Sequence, residues 1–182
     1  MAVRRRRVSI GKEHALWQMI RRTDRVIYKA RQKELDRYGI SADTASALFT
    51  VLRLGNQATP AEIARQLFLE RNSVSEQLTR MEKDGLISKS RDLARRNAVR
   101  IEVTDKGYAA YLQSAKRRAT KKIMSLLTTD EQEQLWSLLA RLRDGALRQL
   151  RAKSQTLYPP SSMKEWALRP AKVVTHKSRR QY

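Results

Sequence analysis

From Lys12 to about Lys153 the apolar residues recur at the spacing of helix faces. The one interruption is the stretch 86–103, where apolar and polar residues alternate as they do in strands. A single pair of short strands cannot form a layer of its own. The pattern therefore predicts a mainly α fold with a small β-hairpin, and it excludes sandwiches and parallel sheets.

The punctuation places the elements. A first helix over Lys12–Arg37 carries Leu16, Met19, Ile20, Ile27 and Ala30 on one face and stops at Gly39. Ser41 caps a second, with Ala45, Leu48, Phe49 and Leu52 inside and Gly55-Asn56 at its close. "TPAE" opens a third: Thr59 is the N-cap, Pro60 sits where its missing N–H is harmless, Glu62 completes a capping box, and Ile63, Ala64 and Leu67 face inward. The fourth, "RNSVSEQLTRMEKDGLI", turns Val74, Leu78 and Met81 inward and ends at Gly85. "LISKSR" and "AVRIEV" then read as strands around the tip "DLARRN". A fifth helix, capped by Thr104 of "TDKG", is expected to run unbroken through Tyr108, Leu112, Ala115, Ala119, Ile123 and Leu126. "LTTDEQEQL" offers two overlapping capping boxes, Thr128 with Glu131 and Thr129 with Gln132, for a sixth lined by Leu135, Leu138, Leu139, Leu142, Ala146 and Leu150. Beyond Lys153 the period fades through Pro159-Pro160 into a basic tail, expected to be flexible, in which Trp166 and Leu168 are available for docking.

Charge narrows the partner. Lys and Arg number 39 against 18 Asp and Glu, a formal charge of +21 over 182 residues, which points to a polyanion. No long uncharged apolar run spans a bilayer, and the basic start "MAVRRRRVSIGK" leads into a charged stretch rather than a leader's apolar core, so the expected location is the cytoplasm. Cysteine is absent, which removes disulfides, thiol switches and thiolate metal sites. His14 and His176 lie at opposite ends of the sequence, so no metal and no cofactor is expected. Catalysis is not supported either, for want of a glycine-rich phosphate loop, a nucleophile beside a base or a carboxylate pair.

The third and fourth helices, joined by "LFLER" and followed by a basic hairpin, form a helix-turn-helix with a wing, a geometry that lays a helix into the major groove. The outward side of the fourth helix carries Asn72, Ser73, Ser75, Glu76, Thr79 and Arg80, with Arg71 at its start. These are reader types: Asn72 can pair with adenine, Arg80 with guanine, and the serines with phosphates or bases.

In "TPAEIARQL", "SVSEQLTRMEKDGLI" and "RDLARRNAVRIEVTDKG" the chain resembles the MarR family of transcriptional regulators over residues 12–152. The resemblance implies a homodimer in which terminal helices pack between subunits, each lobe offering a recognition helix to the major groove and a wing arginine, here Arg96, to the minor groove. The implied layout is a basic arm at 1–11, dimerisation helices at 12–38 and 105–152, a winged lobe at 41–104 and the tail at 153–182. Four positions depart from the family pattern. Arg95 replaces the wing aspartate, Phe68 stands where glycine often makes the turn, Glu70 where serine or threonine often caps, and Gln77 replaces an apolar residue.

Expected wing contacts are Arg91, Arg95, Arg96 and Arg100; expected dimer contacts are Leu16, Ile20, Leu112, Ile123, Leu135, Leu139, Leu142 and Leu150. The family often binds small phenolic effectors, for which Trp17, Tyr28, Tyr38, Phe49, Tyr108 and Tyr111 are candidates, although the same aromatics serve as core or dimer packing. The expected function is a sequence-specific repressor on an inverted-repeat operator, released by an effector. The alternative is an architectural, nucleoid-type protein that coats DNA through phosphates alone.

Overall fold

The computed structural model describes residues 11–92 and 98–150. In chain order it contains α1 (Lys12–Leu35), α2 (Ala42–Leu54), α3 (Pro60–Leu67), α4 (Arg71–Lys83), the strands β1 (Ile87–Asp92) and β2 (Ala98–Val103), then α5 (Asp105–Ser114), α6 (Arg118–Met124) and α7 (Thr129–Gln149). Short 3-10 turns follow α1 and α2. The strands pair antiparallel from Ile87 opposite Val103 to Asp92 opposite Ala98. The free edge of β2 is anchored by Ile101, whose N–H donates to the carbonyl of Ala58 (2.9 Å).

One core holds the middle of the chain. Ala47, Leu48 and Val51 of α2, Ile63 and Ala64 of α3, Val74, Leu78 and Met81 of α4, and Leu86, Ile87 and Ile101 of the hairpin are all buried together. Of the residues expected inside α2, Ala45 and Leu48 are buried while Phe49 and Leu52 are only half-buried, and Ala47 and Val51 are buried beside them. Gly107 is required by close packing. A Cβ there would sit 1.9 Å from the carbonyl oxygen of Leu86, so "TDKG" needs its glycine where α5 crosses the root of the wing.

Two local expectations are corrected. The regular apolar repeat from Tyr108 to Leu126 is not one helix: α5 stops at Ser114, Arg117 takes a left-handed conformation (φ 47), and α6 begins at Arg118. The cause lies on α1. Both oxygens of the Glu34 carboxylate accept from the first amides of α6, Arg118 N–H at 2.8 Å and Ala119 N–H at 3.0 Å. Arg31 pairs with Glu34 at 2.9 Å and also donates to the Ser114 carbonyl that ends α5. One ion pair on α1 thus satisfies both sides of the break. Burial alone pushes the Glu34 carboxyl up, but the amides of Ala119 and Arg118 and the Arg31 guanidinium outweigh it and hold the group below the usual carboxylate range.

The second correction concerns the capping boxes. Thr128 and Glu131 form a complete one. Gln132, expected to pair with Thr129, instead donates to the carbonyls of Met124 and Leu127, closing the end of α6. At α3, Thr59 accepts from the Glu62 N–H (3.2 Å), but the Glu62 side chain turns to Arg65 and Gln66.

Candidate nucleic-acid interface

The turn before α4 is made by a residue with a side-chain penalty. Phe68 adopts the left-handed region (φ 55) and is 52% exposed, so a residue other than glycine makes the turn at the expense of strain and exposed apolar surface. Leu69 N–H donates to the Ala64 carbonyl and closes α3. Glu70 holds the N-cap position of α4 without a side-chain cap bond. The first amides of α4 therefore receive no side-chain capping acceptor from Glu70, at the end of the helix where the macrodipole favours an anion.

Val74, Leu78 and Met81 fix the rotation of α4 by burial, and that rotation leaves Arg71, Asn72, Ser73, Ser75, Glu76, Thr79 and Arg80 exposed together. Gln77 is half-buried, and its amide nitrogen is enclosed without a hydrogen-bond partner. Thr79 differs from its neighbours: its hydroxyl donates to the Ser75 carbonyl (2.9 Å) and accepts from Lys89 Nζ (3.3 Å). Lys89 also pairs with Glu82 at 2.8 Å.

Lys89 is a residue the sequence reading missed. It lies on β1 opposite Ile101 and ties the wing to the exposed side of α4, a role visible only once strand and helix are adjacent. Lys106 makes a similar tie, donating to the Asp84 carbonyl at 2.7 Å, and Thr104 Oγ1 donates to the Gly85 carbonyl at 2.6 Å. Arg91 is exposed on β1, and Arg100, opposite Ser90, is half-buried. Arg95 and Arg96, like the arm at 1–10 and the tail from 151 that includes Lys177, lie outside the described residues.

The dimer candidates are largely uncovered within one chain. Leu16, Ile20, Leu112, Leu135, Leu139, Leu142 and Leu150 are exposed, and Ile123 is half-buried. The proposed aromatic set divides in space. Trp17 contacts His14 and lies under Arg21 near the start of α1. Tyr28 faces Asp43, and burial together with that carboxylate raises its phenol. Phe49, Tyr108 and Tyr111 form a chain of ring contacts, with centroids 6.3 Å apart at each step, and Arg117 covers Phe49 at 5.4 Å. Tyr38 is covered by Lys116 at 5.5 Å, beside the break between α5 and α6. Among the described residues no group of acidic and histidine side chains is arranged to hold a metal, and no helix is long and apolar enough to cross a membrane.

Comparison with known proteins agrees with this arrangement. A MarR family model matches residues 38–96. The organohalide-sensing transcriptional regulator RdhR, solved with 2,4-dichlorophenol bound and also ligand-free, is 32% identical, with 84% of this chain and 91% of that chain covered and a TM-score of 0.75. A mutant MarR from E. coli complexed with operator DNA is 20% identical over 70% of this chain and 93% of its own, with a TM-score of 0.65. The S. aureus MepR–DNA complex is 19% identical over 75% and 99%, at 0.63. A search of curated proteins finds no significant match.

Proposed function

The chain belongs to the MarR family of transcriptional regulators and is a DNA-binding regulator, and from that premise we propose that it is a homodimeric repressor reading an inverted-repeat operator. The carrying observation is the exposed face of α4. Asn72, Ser73, Ser75, Glu76 and Arg80 stand free for base edges and phosphates, while Arg71 sits at the helix start. Thr79, already bonded to Lys89 and the helix backbone, serves to hold the wing in register with the helix. Arg91 and Arg100 extend the positive surface along the hairpin, and Arg96 enters the minor groove from its tip while Arg95 holds phosphate.

Dimerisation uses the helices assigned to residues 12–38 and 105–152, whose exposed leucines and isoleucine among the described residues have no cover within one chain. The lobe at 41–104 then acts as the DNA-reading unit, with the basic ends adding sequence-independent phosphate contacts. The effector is a small phenol or similar amphipathic anion, taken up against the rings of Phe49, Tyr111 and Tyr108, where Arg117 covers Phe49, with Tyr38 under Lys116 beside the break between α5 and α6. The support is chemical: aromatic faces accept a ring and the two cations a phenolate. The 2,4-dichlorophenol bound by RdhR fits that class.

Selection of bound sequences from a random DNA pool tests the reading. The expected result is a symmetric motif with half-sites centred about one helical turn, roughly 10–11 base pairs, apart or slightly more. Binding without any symmetric motif would favour the architectural alternative.

A further inference from the structure

We propose that the outer face of α1 is a second surface for duplex DNA, separate from the α4 face, so that one protein can hold two DNA segments. Arg21, Arg25, Lys29 and Lys33 on α1, and Arg37 in the turn that follows, stand four residues apart without a gap, and all are exposed. At about 1.5 Å per residue they make a ridge roughly 24 Å long. Its middle members, Arg25 and Lys29, lie on the opposite side of the helix from Leu16, Ile20 and Ile27, so a dimer formed through those residues leaves them open.

Like charges four residues apart repel and destabilise a helix. Some surface cations are paired, as Arg65 with Glu62 and Lys89 with Glu82. Among the described residues none of the ridge cations is in an ion pair: of the acids nearby, Glu34 is committed to Arg31 and the start of α6, Asp36 accepts from Gln32, and Asp24 is exposed. An ordinary solvated face would alternate signs. A linear polyanion relieves the repulsion, and a duplex carries one phosphate charge per about 1.7 Å of its axis. The row is one residue wide and winds round the helix by about 40° at each four-residue step, which suits a rod-like partner better than a flat bilayer. Because α1 packs on α2 and α6 rather than on α3, α4 or the hairpin, the ridge is not part of the winged lobe, and the proposal assigns it a DNA segment other than the one under α4. The inference rests on the proposal that α4 reads DNA, and the test separates the two.

The full chain is added to a short immobilised duplex, and capture of a second, fluorescent short duplex is measured. The variant Arg25→Glu/Lys33→Glu turns every four-residue neighbour pair on the ridge into an attractive one, so its thermal midpoint should be no lower than the parent's. Its capture of the second duplex should fall at least about tenfold and show a weaker salt dependence, while its affinity for one short duplex changes by less than about twofold. Arg80→Ala should do the reverse, losing sequence preference on the first duplex and keeping capture of the second. Undiminished capture by the ridge variant, or a parent that binds the first duplex and captures no second, overturns the proposal. So does an equal loss on the first duplex, which would make ridge and α4 one surface. A parent that binds no duplex removes the α4 reading as well. If phosphatidylserine vesicles retain the parent but not the variant while DNA capture is unchanged, the ridge belongs to lipid headgroups and the proposal is overturned.

Discussion

The winged lobe and the helices around it, α1, α6 and α7, solve the same problem differently. In the lobe the apolar residues of α2, α3, α4 and the hairpin enclose one another, with Leu48, Ile63, Leu78 and Ile101 essentially inaccessible. On α7, Leu138 and Leu142 remain more than half exposed, and that helix makes no extensive contact with any other element. The two regions have similar helical patterning, so periodicity alone does not say whether an apolar stripe is satisfied within its own chain. A lobe that closes on itself is a unit that can be moved; a helix that does not is an interface awaiting cover.

The comparison can be broken most sharply at α7. Leu139→Asp places a carboxylate in the proposed dimer face and should weaken dimerisation by about 3–5 kcal/mol, leaving a monomer in which the group is solvated. Sedimentation should show the loss; a normal dimer would locate the interface elsewhere. Leu78→Ala strikes the other region. It should destabilise the lobe by about 2–5 kcal/mol, since the core offers little room to collapse, and its thermal shift should be the same at every protein concentration.

The join between the regions should respond to pH. Because the Glu34 carboxyl is held below its ordinary range in the folded chain, its stabilising contribution is complete above the unfolded value of about 4.3 and disappears as pH falls through the lower folded value. Glu34→Gln should therefore be less stable than the parent near neutrality, by roughly 1.5–3 kcal/mol for the loss of charged hydrogen bonds, and the gap should close in acid. Thermal melts between neutral and acidic pH would show it; a constant gap would mean that Glu34 acts by shape alone. Smallest is the reading effect. Arg80→Ala should cost about 1–3 kcal/mol on the selected operator and relax its sequence preference, whereas replacing the tail residue Lys177 should weaken all DNA alike. Equal losses on operator and random duplex would contradict base reading by Arg80.

What could be read from the sequence alone was whatever is decided locally. The N-caps at Ser41, Thr59, Thr104 and Thr128, the inward stripe Val74, Leu78 and Met81, and the polar face it leaves on α4 depend on neighbours within one or two turns, and each stands in the structure as the residues require. The apolar spacing from Tyr108 to Leu126 also obeys local rules, yet the helix is broken. The acid and the arginine that stabilise that break sit on α1, more than eighty positions earlier, with Glu34 accepting from Arg118 and Ala119 across separations of 84 and 85 residues. Lys89 reaching Thr79 and Glu82, and Gly107 meeting Leu86, belong to the same class. Backbone propensity and amphipathic period act over a few residues, whereas a helix end satisfied by a distant carboxylate, or a glycine demanded by a crossing backbone, exists only after packing brings the segments together.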